Sequence, residues 1–269
     1  MTSSHLLPPR RRFARWASSV AGRLCRSAVD LVYPPACPLC GGDAREGEAN
    51  AAVFGRVGLC ATCAAAVMNV EGPRCARCAA PVGPHLDTAR GCARCRAERF
   101  AFDRVVALGV YDGPLRSACL RAKSPGGRAL AAGLAELLWE REGSALGGVR
   151  PDCVVAVPHH WTDRLRGRTN ASETLAQVLA RRLLVEFAGP ILRKTRRTPA
   201  QSSLKPSQRR TNLRGAFRAR GEFPSRVTVL LVDDVLTTGA TAHEAARQLR
   251  NAGADRIVTA VVARGLGNG

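Results

Sequence analysis

Apolar positions divide the chain into segments with two different periods. Arg104–Tyr111, Cys153–Val157, Val227–Val232 and Ile257–Val262 are short and β-rich, which predicts strands. Cys153–Val157 is wholly apolar, as expected of a strand covered on both faces. Between these runs, apolar residues recur at helical spacing. Leu115, Ala118, Cys119 and Ala122 share one face of a helix opened by Pro114 after the Asp112-Gly113 turn. Leu130, Leu134, Leu137 and Leu138 define a second helix ending near Gly143, with residues 143–151 as a loop. Leu175, Val178, Leu179 and Leu183 line a third, opened by a capping box from Asn170 to Glu173. Ala242, Ala245, Ala246 and Leu249 line a fourth that stops at Gly253, with Asp233–Thr241 as the loop before it. Strand, loop, helix and strand at this spacing form a βαβ unit and hence a parallel sheet.

Two segments lack this pattern. Residues 193–214 are basic and polar without apolar periodicity, and read as a long loop or open hairpin. Near the N-terminus, Phe13, Trp16, Val20, Leu24, Ala28 and Leu31 recur at helical spacing with arginines between them. This predicts a basic amphipathic helix within residues 1–33, packed on its own domain or lying on a membrane surface. No apolar run approaches the roughly 18 residues of a membrane span. Arg10-Arg11-Arg12-Phe13 resembles a twin-arginine export signal, but Arg23, Arg26 and Asp30 break the apolar stretch behind it, so a cytoplasmic location is expected.

The 269 residues allow one or two domains, and 46% hydrophobic with 23% charged residues is an ordinary globular balance. Charge changes the picture. The net charge is +20, and residues 190–220 hold ten basic residues and no acidic one. A local field of this kind suits a diphosphate, a nucleotide or a nucleic acid. Phe217 is the sole aromatic in that stretch, so stacking on bases would be poor there.

Eight of the eleven cysteines form four CxxC pairs: Cys37/Cys40, Cys60/Cys63, Cys75/Cys78 and Cys92/Cys95. Each turn can aim two sulfurs at one point, and two turns complete a tetrahedral Zn²⁺ site. The simplest pairing is sequential, with one zinc on the first four cysteines and another on the last four. With no ligand position left open, both zincs would be structural. A disulfide framework would instead require secretion. Cys119 and Cys153 fall in apolar segments and read as core residues; Cys25 is ambiguous.

The stretch from Val229 to Thr241 (VLLVDDVLTTGAT) carries the chemistry. Asp233 and Asp234 follow an apolar strand at its carboxyl end, where open α/β sheets bind ligands. Hydroxylated and small residues then lead into a helix N-terminus, which favours an anion. Two carboxylates beside a phosphate cradle suit a sugar phosphate. The competing reading makes Asp234 a cap and the threonines a turn.

The thirteen-residue pattern resembles the 5-phosphoribosyl-1-diphosphate (PRPP) motif of type I phosphoribosyltransferases. Four CxxC motifs ahead of such a segment resemble the ComF family over roughly residues 30–265. Further matches are Tyr111-Asp112-Gly113-Pro114-Leu115-Arg116 with Lys123, Val157-Pro158, and Gln201, Leu204, Arg210, Asn212, Gly215, Ala216 and Phe217. The family's Arg-Gly-aromatic-Asn-Gln is Arg166-Gly167-Arg168-Thr169-Asn170-Ala171 here, with only the Asn clearly retained.

The resemblance implies an α/β fold: a type I phosphoribosyltransferase-like parallel sheet flanked by helices over 100–269, preceded by a double zinc ribbon over 34–99. It implies that Asp233 and Asp234 hold the ribose hydroxyls of PRPP, directly or through Mg²⁺. Val235, Leu236, Thr237, Thr238, Gly239, Ala240 and Thr241 would hold the 5′-phosphate. Pro158, His159 and His160, with Arg164, would lie at the diphosphate. A loop carrying Arg196, Arg197, Gln201 and Arg210 would close over the site. Two functions follow from it: phosphoribosyl transfer to an unidentified acceptor, or non-catalytic handling of single-stranded DNA in natural competence. In the second, the ribbons would dock a partner of the uptake machinery. No residue is marked by sequence as a general base, and the oligomeric state is not legible.

Overall fold

The computed structural model describes residues 36–43, 59–68, 72–159, 169–196, 198 and 212–266. The expected N-terminal helix lies outside them, as do His160, Arg164, Arg197, Gln201 and Arg210.

In chain order the elements are α1 (Ala61–Met68), β1 (Arg104–Val110), α2 (Gly113–Ala122), α3 (Arg128–Gly147), β2 (Cys153–Ala156) and α4 (Ala171–Leu183). They continue with β3 (Glu186–Phe187), β4 (Leu192–Lys194), β5 (Phe217–Ala219), β6 (Val227–Leu236), α5 (Ala240–Asn251) and β7 (Ala254–Arg264). Five strands form a parallel sheet in the order β1-β7-β6-β2-β3. Alternate side chains of each strand point to opposite faces. Val154, Leu230, Val232, Val258 and Ala260 therefore pack with α2, α3 and α4. Val155, Val229, Leu231, Ile257 and Val261 pack with α5. Cys119 and Cys153 are buried, one in each layer. Among the described residues, no helix is long and apolar enough to cross a membrane.

Two elements differ from the sequence reading. Helix α3 runs on to Gly147, because Leu146 is fully buried and anchors the last turn. Gly143 stays inside that helix, where a Cβ would lie 3.4 Å from the Trp139 ring. Strand β6 continues through both aspartates to Leu236, because β7 extends to Arg264 and keeps pairing with it. The loop expected over Asp233–Thr241 thus shrinks to a short turn before α5. The basic segment takes the open-hairpin alternative: its two ends are ordered as the antiparallel β4–β5 pair, outside the main sheet.

Helix α4 ends as a left-handed cap at Leu184 (φ 57°), whose amide donates to the carbonyls of Ala180 and Arg181. The Leu184 side chain is 92% exposed, so it gains little burial for an unfavourable backbone. Leu184→Gly is expected to stabilise the fold by about 0.5–1 kcal/mol, read from urea unfolding. Leu184→Ala should give no such gain.

Candidate functional site

The carboxyl edge of the sheet is polar where its interior is not. Asp233 and Asp234 lie in the last four residues of β6, and both are buried. The Asp233 carboxylate accepts from Ser172 Oγ on α4 at 3.0 Å and from the Asp234 amide at 2.9 Å. Asp234 accepts from the Val235 amide at 2.7 Å and pairs with Lys123 Nζ at 2.6 Å. Lys123 is the C-cap of α2. The sequence marked it as a family landmark without a role. Ser172 carried no signal beyond its place in the capped helix.

Burial pushes the Asp233 carboxyl up to about 7, and the neighbouring Asp234 adds to this; hydrogen bonds and Lys123 oppose it. Burial pulls the Lys123 ammonium down, but the attraction of Asp234 outweighs it and its pKa is raised. Lys123 therefore stays charged at neutral pH. One proton on Asp233 together with one lysine keeps the paired carboxylates from facing each other as two bare charges.

The segment following the acidic pair is built as a turn onto a helix. Gly239 is the N-cap of α5 at φ 78°, and a Cβ there would meet the Phe100 ring at 2.9 Å. Glycine is thus needed both for the backbone and for the packing. The Ala240 amide donates to Thr238 Oγ1 at 3.4 Å. The first amides of α5 have no acceptor within their own helix and can meet an anion.

Pro158 and His159 follow β2 at the same edge, just beyond the bond from the Val157 amide to the Val232 carbonyl (2.8 Å). Arg196 lies at the open end of the β4–β5 pair, where its guanidinium donates to the carbonyls of Asn212 (2.8 Å) and Arg214 (3.2 Å). Glu244 of α5 accepts from the Gly215 amide at 2.9 Å, tying that pair to the helix behind the Thr237–Gly239 turn.

The cysteines form two separate groups, Cys37, Cys40, Cys60 and Cys63, and Cys75, Cys78, Cys92 and Cys95. Within each group the Sγ atoms lie within 4.8 Å of one another. The pairs Cys40–Cys60, Cys75–Cys95 and Cys78–Cys92 are each 3.7 Å apart. A tetrahedron with arms of about 2.3 Å has edges of about 3.8 Å, so both groups fit Zn²⁺. Burial raises the Cys37 and Cys75 thiols, but surrounding backbone amides outweigh it and bring them to about 6 and about 7. Sulfur placed to accept amide hydrogens favours the thiolate that zinc requires. The sequential pairing expected from spacing is the one the fold brings together.

Residues 167–268 match the phosphoribosyl transferase domain family, and residues 28–96 match the double zinc ribbon domain family. Competence protein F of Haemophilus influenzae is 30% identical over 206 residues, which is 74% of this chain and 87% of that protein. The DNA utilization protein YhgH of Salmonella typhi is 33% identical over 209 residues, covering 74% of this chain and 87% of its own length. The YhgH protein of Escherichia coli K12 is 31% identical over 214 residues, 76% of this chain and 89% of its own.

The raised Asp233 pKa makes stability depend on pH. An unfolded aspartate titrates near 3.8, so between there and about 7 the folded state holds a proton that the unfolded state has lost. Stability is full below the lower value and falls as pH rises through the window. In Mg²⁺-free buffer, the urea midpoint of Asp233→Asn should gain on wild type between about pH 5 and about pH 7.5. A constant difference would mean that Asp233 titrates as an ordinary carboxylate.

Proposed function

The chain belongs to the ComF family, in which a double zinc ribbon accompanies a phosphoribosyltransferase domain, and from that premise we propose that it binds PRPP with Mg²⁺ at the end of β6. In this reading residues 34–99 are the ribbon, residues 100–269 the PRPP-binding domain, and residues 1–33 a basic leading helix. The observation that carries the reading is the buried Asp233–Asp234 pair, 2.6 Å from Lys123 and joined by a short turn to the α5 N-terminus.

Each part has a chemical task. Asp233 and Asp234 offer hard oxygen acceptors, suited to ribose hydroxyls and to Mg²⁺. The segment from Val235 to Thr241, from the last two residues of β6 through the turn into α5, offers backbone amides and three hydroxyls to the 5′-phosphate. Pro158 and His159, with His160 and Arg164, border the diphosphate. Arg196, Arg197, Gln201 and Arg210 belong to the segment that would cover it. Magnesium, when bound, neutralises diphosphate charge. Lys123 holds Asp234 oriented before ligand arrives, and ligand binding would displace the proton on Asp233. In phosphoribosyl transfer, the bond from ribose C1 to diphosphate breaks and the diphosphate leaves with the electron pair. An acceptor atom bonds to C1 and gives up its proton. Such a site works by positioning and charge stabilisation, with no covalent nucleophile.

Calorimetric titration of the zinc-loaded protein with PRPP and Mg²⁺ tests this reading. Saturable binding is expected, and Asp233→Asn combined with Asp234→Asn should abolish it. Absence of binding to folded wild type would sink the reading.

A second activity is favoured by the β4–β5 pair. Arg193 and Arg218 are directly opposed across it, and both are exposed. Like charges placed opposite each other are unfavourable without an anion between or above them. The relatives named for competence and DNA utilization support a phosphate backbone as that anion. Single-stranded DNA binding should weaken steeply with salt. Arg193→Ala plus Arg218→Ala should reduce the log–log salt slope by about 1.4, at about 0.7 per lost phosphate contact. The aspartate double mutant should leave that slope unchanged.

A further inference from the structure

Arg264, the last residue of β7, is buried, yet it carries a charge into the contact between the second cysteine cluster and the phosphate turn. Its Nε donates to the carbonyl of Cys78 at 2.9 Å. One terminal nitrogen donates to the carbonyl of Leu236 at 3.0 Å and also contacts those of Thr237 and Gly265. One guanidinium thus joins a cluster cysteine to the first residues of the turn. Lysine could not reproduce this, because a single ammonium lacks the planar fork that reaches both sides at once.

A second link runs parallel to the first. Arg77, between Cys75 and Cys78, donates to the carbonyls of Cys95 (2.7 Å) and Glu98 (2.6 Å). Its guanidinium lies over the Phe100 ring, 5.7 Å from the centroid. That ring is the surface against which Gly239 packs. The cysteine knuckle itself is a tight loop, with the Cys75 amide bonded to Ala80 (2.8 Å) and Ala79 at φ 55°. Four ligands on one ion hold such a loop closed; without the ion its carbonyls lose their fixed places. Among the described residues, the first cluster makes no hydrogen bond to the Thr237–Thr241 turn. Its contacts run to the opposite layer, through Arg121 to the Leu39 carbonyl and Arg141 to the Met68 carbonyl.

We infer that Arg264 is a positioning residue through which metal at Cys75, Cys78, Cys92 and Cys95, and not at the first cluster, sets the geometry of the Thr237–Thr241 turn. The inference rests on the reading of that turn as a phosphate site. Coupling is reciprocal: if the second metal tightens PRPP binding, PRPP tightens the second metal by the same factor.

The test uses the full chain as wild type, Cys63→Ser, Cys95→Ser and Arg264→Lys, each checked for zinc content and thermal midpoint. Amide exchange over residues 237–241 is measured without ligand, and PRPP–Mg²⁺ affinity by calorimetry. Cys95→Ser and Arg264→Lys should speed exchange in the turn and weaken PRPP about tenfold, whereas Cys63→Ser leaves both at wild-type values. In Cys63→Ser, which keeps only the second zinc, saturating PRPP should slow zinc loss to a chelator by a similar factor. The inference is overturned if Arg264→Lys, with both zincs and an unchanged midpoint, matches wild type in exchange. It is also overturned if the two cysteine variants have equal effects. Should Arg264→Lys fail to fold, the cysteine comparison and the chelator rate still decide. If wild type does not bind PRPP, the reading of the turn falls, while exchange alone still decides the coupling.

Discussion

Strand β6 is flanked by β7 and β2 and covered on both faces, and most of its ten residues are buried. A strand so placed can carry polar groups only at its ends. The two aspartates stand at its carboxyl end, and their placement depends on β7 continuing beside them to Arg264. Were β7 to stop at Ala260, the partner of Val232, the pair would sit on an irregular loop. The long β6–β7 ladder makes them part of the rigid sheet, which serves a site that works by positioning.

Rigid burial has an electrostatic cost, and the surrounding elements offset it. Helix α4 brings Ser172 to Asp233, and the end of α2 brings Lys123 to Asp234. Each donor comes from a different element, so the acidic pair holds together a strand and two helices. The arrangement also leaves the Asp233 carboxyl titrating near neutrality, well above an ordinary aspartate.

The ribbons obey a different constraint. Segments of this size have too little apolar surface to fold alone, and metal–thiolate bonds supply the missing free energy. They are nevertheless not separate from the sheet. Leu59, Ala64 and Val67 of the first ribbon share the core layer of α2 and α3. The second ribbon meets the other end of β7 through Arg264, Phe100 and Leu266. The second cysteine group and the Thr237–Gly239 turn therefore share one wall of the fold.

Local pattern made much of this protein legible. Short, continuous apolar runs marked the central strands and period-3.6 spacing the flanking helices, because a strand covered on both faces is apolar throughout whereas a helix buries one face. The CxxC spacings identified two tetrahedral sites, since each turn geometry is set within four residues. The run from Val229 to Thr241 exposed its acidic pair and turn for the same reason. The bounds of α3 and β6 were misjudged because Leu146 and the Asp233–Leu236 stretch are held by distant partners. Lys123, Ser172 and Arg264 belong to the same class. Ser172 meets Asp233 across 61 positions, and Arg264 meets Cys78 across 186. Such contacts leave no periodic trace, because a side chain's partner across the sheet is chosen by strand order and register. The sequence by itself determined which chemistries the chain carries; only the tertiary structure decided which of them share a wall.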